Sequence, residues 1–120
     1  MRFTIWSCAA LAAALPAGLS AAADATRGKA LYEACAACHT DRPEAVGPSL
    51  RSVAGRKSAA IDDYRYSNPM KRANRVWDET NLRAYLWDPQ AKVKGNRMPF
   101  GAVREPADID DVIAHRKSLK

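Results

Sequence analysis

Two cysteines and a histidine stand together in Cys35-Ala36-Ala37-Cys38-His39, and no other feature limits this chain so tightly. Cysteines three positions apart fall within about one helical turn, and the histidine follows directly. That arrangement is the attachment signature of a c-type haem. The two thiols form thioethers with the two vinyl groups of one porphyrin, and His39 can then present an imidazole nitrogen to the iron. The same spacing also serves half a zinc site or a redox dithiol. A structural zinc site takes four ligands, and beyond residue 23 the only other histidine or cysteine is His115. A thioredoxin-like dithiol expects a βαβ context, and no strand alternation is visible.

The N-terminus reads as an export signal. Arg2 supplies a positive start, an apolar run extends from Phe3 to Leu15, and Ser20-Ala21-Ala22-Ala23 offers small residues for cleavage before Asp24. The expected organisation is a signal peptide over residues 1–23 and one domain over 24–120. Cys8 lies inside the apolar run and is expected to leave with it. That run is short for a membrane span, which needs about 20 residues; an uncleaved membrane anchor is the lesser alternative. The mature chain is then periplasmic and just long enough for a single small domain. With both remaining cysteines spent on a haem, the haem itself is expected to complete the core, leaving the haem-free chain poorly folded.

Helical spacing appears in four places. Thr26 to Ala37 carries Leu31, Ala34, Cys35 and Cys38 on one face, with Asp24 or Thr26 as cap. Glu79 to Trp87 follows Asp78 as N-cap, aligns Leu82, Tyr85 and Leu86, and is stopped by Pro89. Pro106 to Ser118 has an apolar stripe of Ile109, Val112 and Ile113, with acids at its start and bases at its end, as the helix dipole favours. A short helix is possible near Pro69 to Asn74. Residues 41–60 and 88–101 read as loops, and Tyr64 to Met70 as irregular. The result is a small all-α domain of three to five helices. Its long loops are unusual in a compact fold unless they wrap one large apolar cofactor.

The second axial position of such a haem has several candidates: Met70, Met98, His115, a lysine, or an open site. Met98 is preferred. It lies in Gly95-Asn96-Arg97-Met98-Pro99-Phe100-Gly101, far in sequence from His39, and Pro99 holds it extended. Met70 is the reserve. His115 is expected to be half-exposed on the last helix.

These segments together resemble a class I cytochrome c of the soluble mitochondrial and bacterial type, from about Gly28 to Leu119. Beyond the haem-attachment motif, Val46-Gly47-Pro48-Ser49-Leu50 resembles the loop whose proline carbonyl accepts a hydrogen bond from the proximal histidine. Gly55-Arg56-Lys57 and Tyr64-Arg65-Tyr66-Ser67 resemble segments that line a haem propionate, with Trp77 completing the cradle. Leu82 to Pro89, including Tyr85, resembles the distal helix, and residues 95–100 the segment that delivers the methionine. The resemblance implies cofactor contacts from Cys35, Cys38, His39, Pro48, Arg56, Tyr66, Trp77, Tyr85 and Met98, with His39 and Met98 on the iron.

Two departures stand out. The family's final helix usually ends Ala-Tyr-Leu-Lys, whereas this chain has Ala114-His115-Arg116-Lys117. Arg116 extends the apolar stripe with a charge. Either its stem covers the stripe while its head reaches water, or the terminal helices meet more weakly; on this reading Arg116→Leu is expected to stabilise. Lys94 stands where proline often precedes the glycine, and is expected to loosen the methionine loop.

The implied function is one-electron transfer by a closed, six-coordinate haem c, not enzymatic catalysis. Histidine–methionine ligation raises the reduction potential. The chain has 19 basic and 13 acidic residues. Lys57, Lys71, Lys92, Lys94 and Arg97 form a candidate collar for acidic docking faces on a bc-type complex, a terminal oxidase, a reaction centre or a dehydrogenase. Nucleic acid is not an expected partner, because the basic residues lack interleaved stacking aromatics. The expected state is a monomer that meets membranes only peripherally. The alternatives are a haem subunit dedicated to one periplasmic dehydrogenase, or a haem enzyme or sensor with a labile distal ligand.

Overall fold

The computed structural model describes residues 22–99 and 103–119. Most of the expected signal peptide therefore lies outside the described residues, as do Phe100 and Gly101. Five helices follow in order: α1 (Ala25–Ala36), α2 (Asn68–Arg72), α3 (Glu79–Trp87), α4 (Pro89–Lys92) and α5 (Pro106–Ser118). Among the described residues there is no strand; one antiparallel bridge pairs Lys57 with Val76. No described helix is long and apolar enough to cross a membrane.

Local chemistry sets the helix ends. Asp24 caps α1, its carboxylate accepting from the Thr26 and Arg27 amides at 2.9 and 3.1 Å. Asp78 caps α3 through the Asn81 amide at 2.8 Å. Ser67 caps α2 through Met70, with Pro69 in the first turn, so the short helix begins a residue earlier than Pro69 and replaces the irregular end expected there. Residues 88–92 do not form a loop as expected. Asp88 leaves the helical region at φ −151°, and its carboxylate then accepts from the Ala91 amide at 3.0 Å. Pro89 thus ends α3 and also opens α4, because its fixed φ suits a first helical position.

The terminal helices α1 and α5 form the main helix pair. Gly28 makes their close approach possible: a Cβ there would lie 1.8 Å from the Asp111 carbonyl oxygen. Arg27 bonds Asp111 at 2.6 Å and also pairs with Asp108, while the Asp24 amide donates to Asp111 at 2.7 Å. Helix α3 joins α5 through Arg83–Asp110 at 2.7 Å and Lys117–Glu79 at 2.9 Å. Ile109, Val112 and Ile113 are almost wholly buried, alongside Leu82, Tyr85, Trp77, Val53, Val93 and Val103.

Two expectations about α5 are corrected. His115 is not half-exposed; it is buried against Tyr32 of α1, with ring centroids 5.5 Å apart. Nor is the head of Arg116 simply solvated; the residue is half-buried. Its guanidinium lies 4.5 Å from the Tyr32 ring centroid and donates to the Leu50 carbonyl. Arg116→Leu forfeits both contacts, so the stabilisation expected from a solvated arginine no longer follows.

Two predictions arise from the α1–α5 junction. Gly28→Ala should destabilise the protein by about 2 kcal/mol or more, since overpacking here strikes backbone rather than a flexible side chain; chemical denaturation measures it. Asp111 is held below the usual carboxylate range by the Asp24 amide and then by Arg27. A depressed folded pKa contributes stability above the unfolded value, which is lost as pH falls through the folded value. Asp111→Asn should therefore lower the melting temperature at neutral pH, with the difference from wild type shrinking in acid.

Candidate functional site

Between α1, α3, α5 and the loop over residues 37–67 lies an open-sided cavity of about 300 Å³. Cys35, Cys38, His39, Pro48, Arg56, Tyr66, Trp77, Tyr85 and Met98 all line it. Every site residue expected from the sequence is thus brought to one place. Met70 lines the same cavity; His115 does not.

The proximal wall is built from the end of α1. The amides of Cys38 and His39 both donate to the Cys35 carbonyl, at 3.1 and 3.0 Å, which closes the helix in a tight turn. The Gly47 amide then donates to the Cys38 carbonyl at 2.9 Å, tying the following loop to the motif. A Cβ on Gly47 would stand 2.6 Å from His39 Cε1, so only glycine lets the imidazole lie this close to the backbone. His39 Nδ1 is 2.8 Å from the Pro48 carbonyl oxygen. A carbonyl only accepts, so Nδ1 carries the proton and Nε2 keeps its lone pair for a metal. Burial pushes the His39 pKa down, partly opposed by the Pro48 bond and reinforced by Arg116, which favours the neutral imidazole that a metal requires. Tyr64 steadies the loop by donating to the Val46 carbonyl at 2.8 Å.

The dithiol and zinc alternatives lose support here. A reactive thiolate is favoured at a helix N-terminus, but this pair sits at the C-terminal end of α1, where the dipole opposes negative charge. Burial pushes the Cys35 thiol up as well. Among the described residues no group of three or more His, Cys, Asp or Glu side chains is placed to hold a metal ion.

Another part of the lining carries Met98 on a clamped loop. Its amide donates to Asn96 Oδ1 at 2.6 Å, and its carbonyl accepts from Gln90 Nε2 at 3.0 Å. Buried Asn96 is itself fixed: Nδ2 donates to the Pro89 and Val93 carbonyls at 2.9 and 2.8 Å, and Oδ1 accepts from the Tyr85 hydroxyl at 3.2 Å. Burial pushes the Tyr85 pKa up to about 12, so the hydroxyl remains a donor at neutral pH. Gln90 Nε2 also donates to the Asn96 carbonyl at 2.9 Å. Sequence reading missed Gln90 and Asn96 as functional residues. Asn96 was within the quoted methionine segment, whereas Gln90 depends on α4.

The third side is polar. Arg56 donates through its terminal nitrogens to the Arg51 and Ser49 carbonyls, at 2.7 and 3.0 Å, while its Nε is buried without a partner. Paired backbone bonds of 2.8 Å, from Gly55 to Trp77 and from Trp77 to Arg56, hold the two residues side by side. The Tyr66 hydroxyl accepts from the Ile61 amide at 3.2 Å, which leaves its own proton available. An orphaned buried N–H beside a buried indole and a tyrosine suits an anionic group, as the propionates of a haem would provide.

A largely apolar cavity lined by two thiols, an imidazole, a thioether and polar donors defines an all-α haem c domain. The cytochrome c family model matches residues 25–120. The chain is 41% identical over 87 residues to the cytochrome c2 iso-2 of Magnetospirillum fulvum, covering 71% of this chain and 91% of that one. It is 37% identical over 99 residues to a cytochrome c homolog of Rickettsia typhi, covering 80% of this chain but 57% of the rickettsial protein, so it spans little more than half the length of that relative. The solved structure of cytochrome cH from Methylobacterium extorquens superposes with a TM-score of 0.74 at 36% identity, covering 79% of this chain and 98% of that one. The chain belongs to the cytochrome c family, and its cofactor is a haem c joined through Cys35 and Cys38.

The clamp on Met98 is testable. Asn96→Leu keeps the volume but removes the acceptor of the Tyr85 hydroxyl and of the Met98 amide, while the Pro89 and Val93 carbonyls keep the backbone amides of Val93 and residue 96. Leaving buried polar groups unpaired costs about 1–3 kcal/mol each. The haem-loaded variant should lose about 3 kcal/mol of stability in chemical denaturation, and Gln90→Leu less.

Proposed function

We propose that this chain is a one-electron carrier whose haem c is held between His39 and Met98. The observation that carries the reading is that both residues line one cavity from independently anchored walls. The Pro48 bond orients the imidazole with a lone pair available, and Asn96 and Gln90 occupy both backbone groups of Met98. Met70 also borders the cavity, but it sits in the short helix α2, only three residues past the buried Tyr66–Ser67 edge of the cradle. Met98 has the longer, separately clamped loop.

The haem supplies a reversible change between ferric and ferrous iron, and the protein does the rest. Two strong-field ligands close the iron to oxygen and peroxide, and methionine favours the ferrous state. Arg56, Tyr66 and Trp77 are assigned to a propionate; the unpartnered Arg56 Nε supports this. Pinning both ligand loops limits rearrangement between oxidation states, which suits an electron carrier better than a dedicated catalyst. Lys57, Lys71, Lys94 and Arg97 are exposed and Lys92 half-buried, which supports docking to acidic faces of redox complexes. The leader-like residues 1–23 support export to the periplasm with cleavage after Ala23.

Absorption spectra of both redox states, with and without Met98→Ala, test the site. The wild type should be low-spin in both states and slow to bind carbon monoxide. Met98→Ala should bind it promptly in the ferrous state. Prompt binding by fresh wild type would favour an open distal site instead. The rate of reduction by an acidic donor protein should fall steeply as salt rises; a flat salt profile would remove the collar.

A further inference from the structure

Ile109, Ile113 and Arg116 follow one another along a single face of α5. The first two are 1% and 2% exposed; the third is an arginine at the position where the stripe should end in a hydrophobe. Its side chain lines the haem cavity in company with Cys35 and His39, and it also lines a second crevice behind His39, bounded by Asp41 and Arg51. Arg116 therefore forms a partition between the proximal wall and the surface.

Its charge is fixed in place and has no ion-pair partner among the described residues. The guanidinium packs on Tyr32, 4.5 Å from the ring centroid, a favourable placement for a cation over a π face. One terminal nitrogen donates to the Leu50 carbonyl, while Nε is buried without a partner. Among the described residues no carboxylate lies within ion-pair distance of Arg116. The acid at the crevice, Asp41, is already committed to Arg51 at 2.8 Å and to the Ser49 hydroxyl. Arginine stays protonated at any working pH.

We propose that Arg116 is a positioning residue for the redox step, raising the reduction potential of the haem by placing a permanent positive charge at its proximal wall. On reduction one electron enters from the donor protein, iron passes from ferric to ferrous, and no bond or proton changes. The ferric iron carries one more positive charge than the ferrous, so a nearby cation in a poorly screened interior disfavours it. The inference rests on the haem reading given above, and its test fails separately from that reading.

The test is a potentiometric titration of the full haem-loaded protein against Arg116→Gln and Arg116→Lys. Glutamine keeps a donor for Leu50 without the charge; lysine keeps the charge with a different shape. Arg116→Gln should shift the ferric-to-ferrous ratio at fixed ambient potential about tenfold toward ferric, about 59 mV for one electron. Arg116→Lys should stay close to wild type, and the difference between the two variants should persist at high salt, because the guanidinium is half-buried, held against the Tyr32 ring and the Leu50 carbonyl. A merely structural role would alter melting temperature without separating the potentials of the two variants. The proposal is overturned if Arg116→Gln titrates with the wild type, or if Arg116→Lys shifts as far as Arg116→Gln. Should Arg116→Gln fail to fold, Arg116→Met against Arg116→Lys is read by the same criterion. A wild-type spectrum without haem c features would instead defeat the underlying haem assignment.

Discussion

A domain this small buries a smaller share of its surface than a larger one and is correspondingly marginal, and its side chains alone stop short of filling its centre. The most buried residues, Ile109, Val112 and Ile113 of α5, Leu82 and Tyr85 of α3, and Trp77 and Val53 of the loops, border the cavity or back onto its walls. The rest of the fold is arranged around that cavity. The stretch from Ala37 to Ser67 has no helix, which would be costly in an ordinary compact domain. It is tolerable here because its inner edge has a large flat ring to pack against, and because backbone bonds from the Gly55 amide to the Trp77 carbonyl and from the Trp77 amide to the Arg56 carbonyl give its turn a fixed shape.

The two faces of the cavity are made rigid by different means. On the proximal face, short-range geometry suffices: the α1 C-terminus, a tight turn and Gly47 bring His39 against the backbone, and one carbonyl sets its tautomer. Where Met98 lines the cavity, it depends on a buried polar network through Asn96, Gln90, Tyr85 and α4. Such networks are valuable only when every member is satisfied, and here the Asn96 amide meets four partners. The α1–α5 junction, closed by Gly28 and the Arg27–Asp111 pair, holds the two faces in register from behind.

How much of this could be read from the chain depended on how locally it was encoded. The attachment motif, the capped helices α1, α3 and α5, and the convergence of Pro48, Arg56, Tyr66, Trp77 and Met98 rest on short segments with strong signals. Helix α4 escaped because four residues carry no period and Pro89 reads only as a stop; whether it also starts a helix depends on the Asp88 carboxylate bonding forward. With α4 went Gln90. His115 and Arg116 were misjudged for a different reason. Polarity predicted water for both, but Tyr32, one helix away, offers His115 a ring edge and Arg116 a ring face. No spacing rule within α5 reports a partner on α1.

The central claim is that the cofactor is a part of the hydrophobic core rather than a guest in a finished protein. Circular dichroism during thermal unfolding, run on the haem-loaded protein and on the Cys35→Ser/Cys38→Ser chain prepared without haem, tests it most directly. The account expects a cooperative transition for the loaded protein, and for the haem-free chain reduced helix content with a broad, non-cooperative loss of signal. A haem-free chain that melts cooperatively at the midpoint of the loaded protein would contradict it.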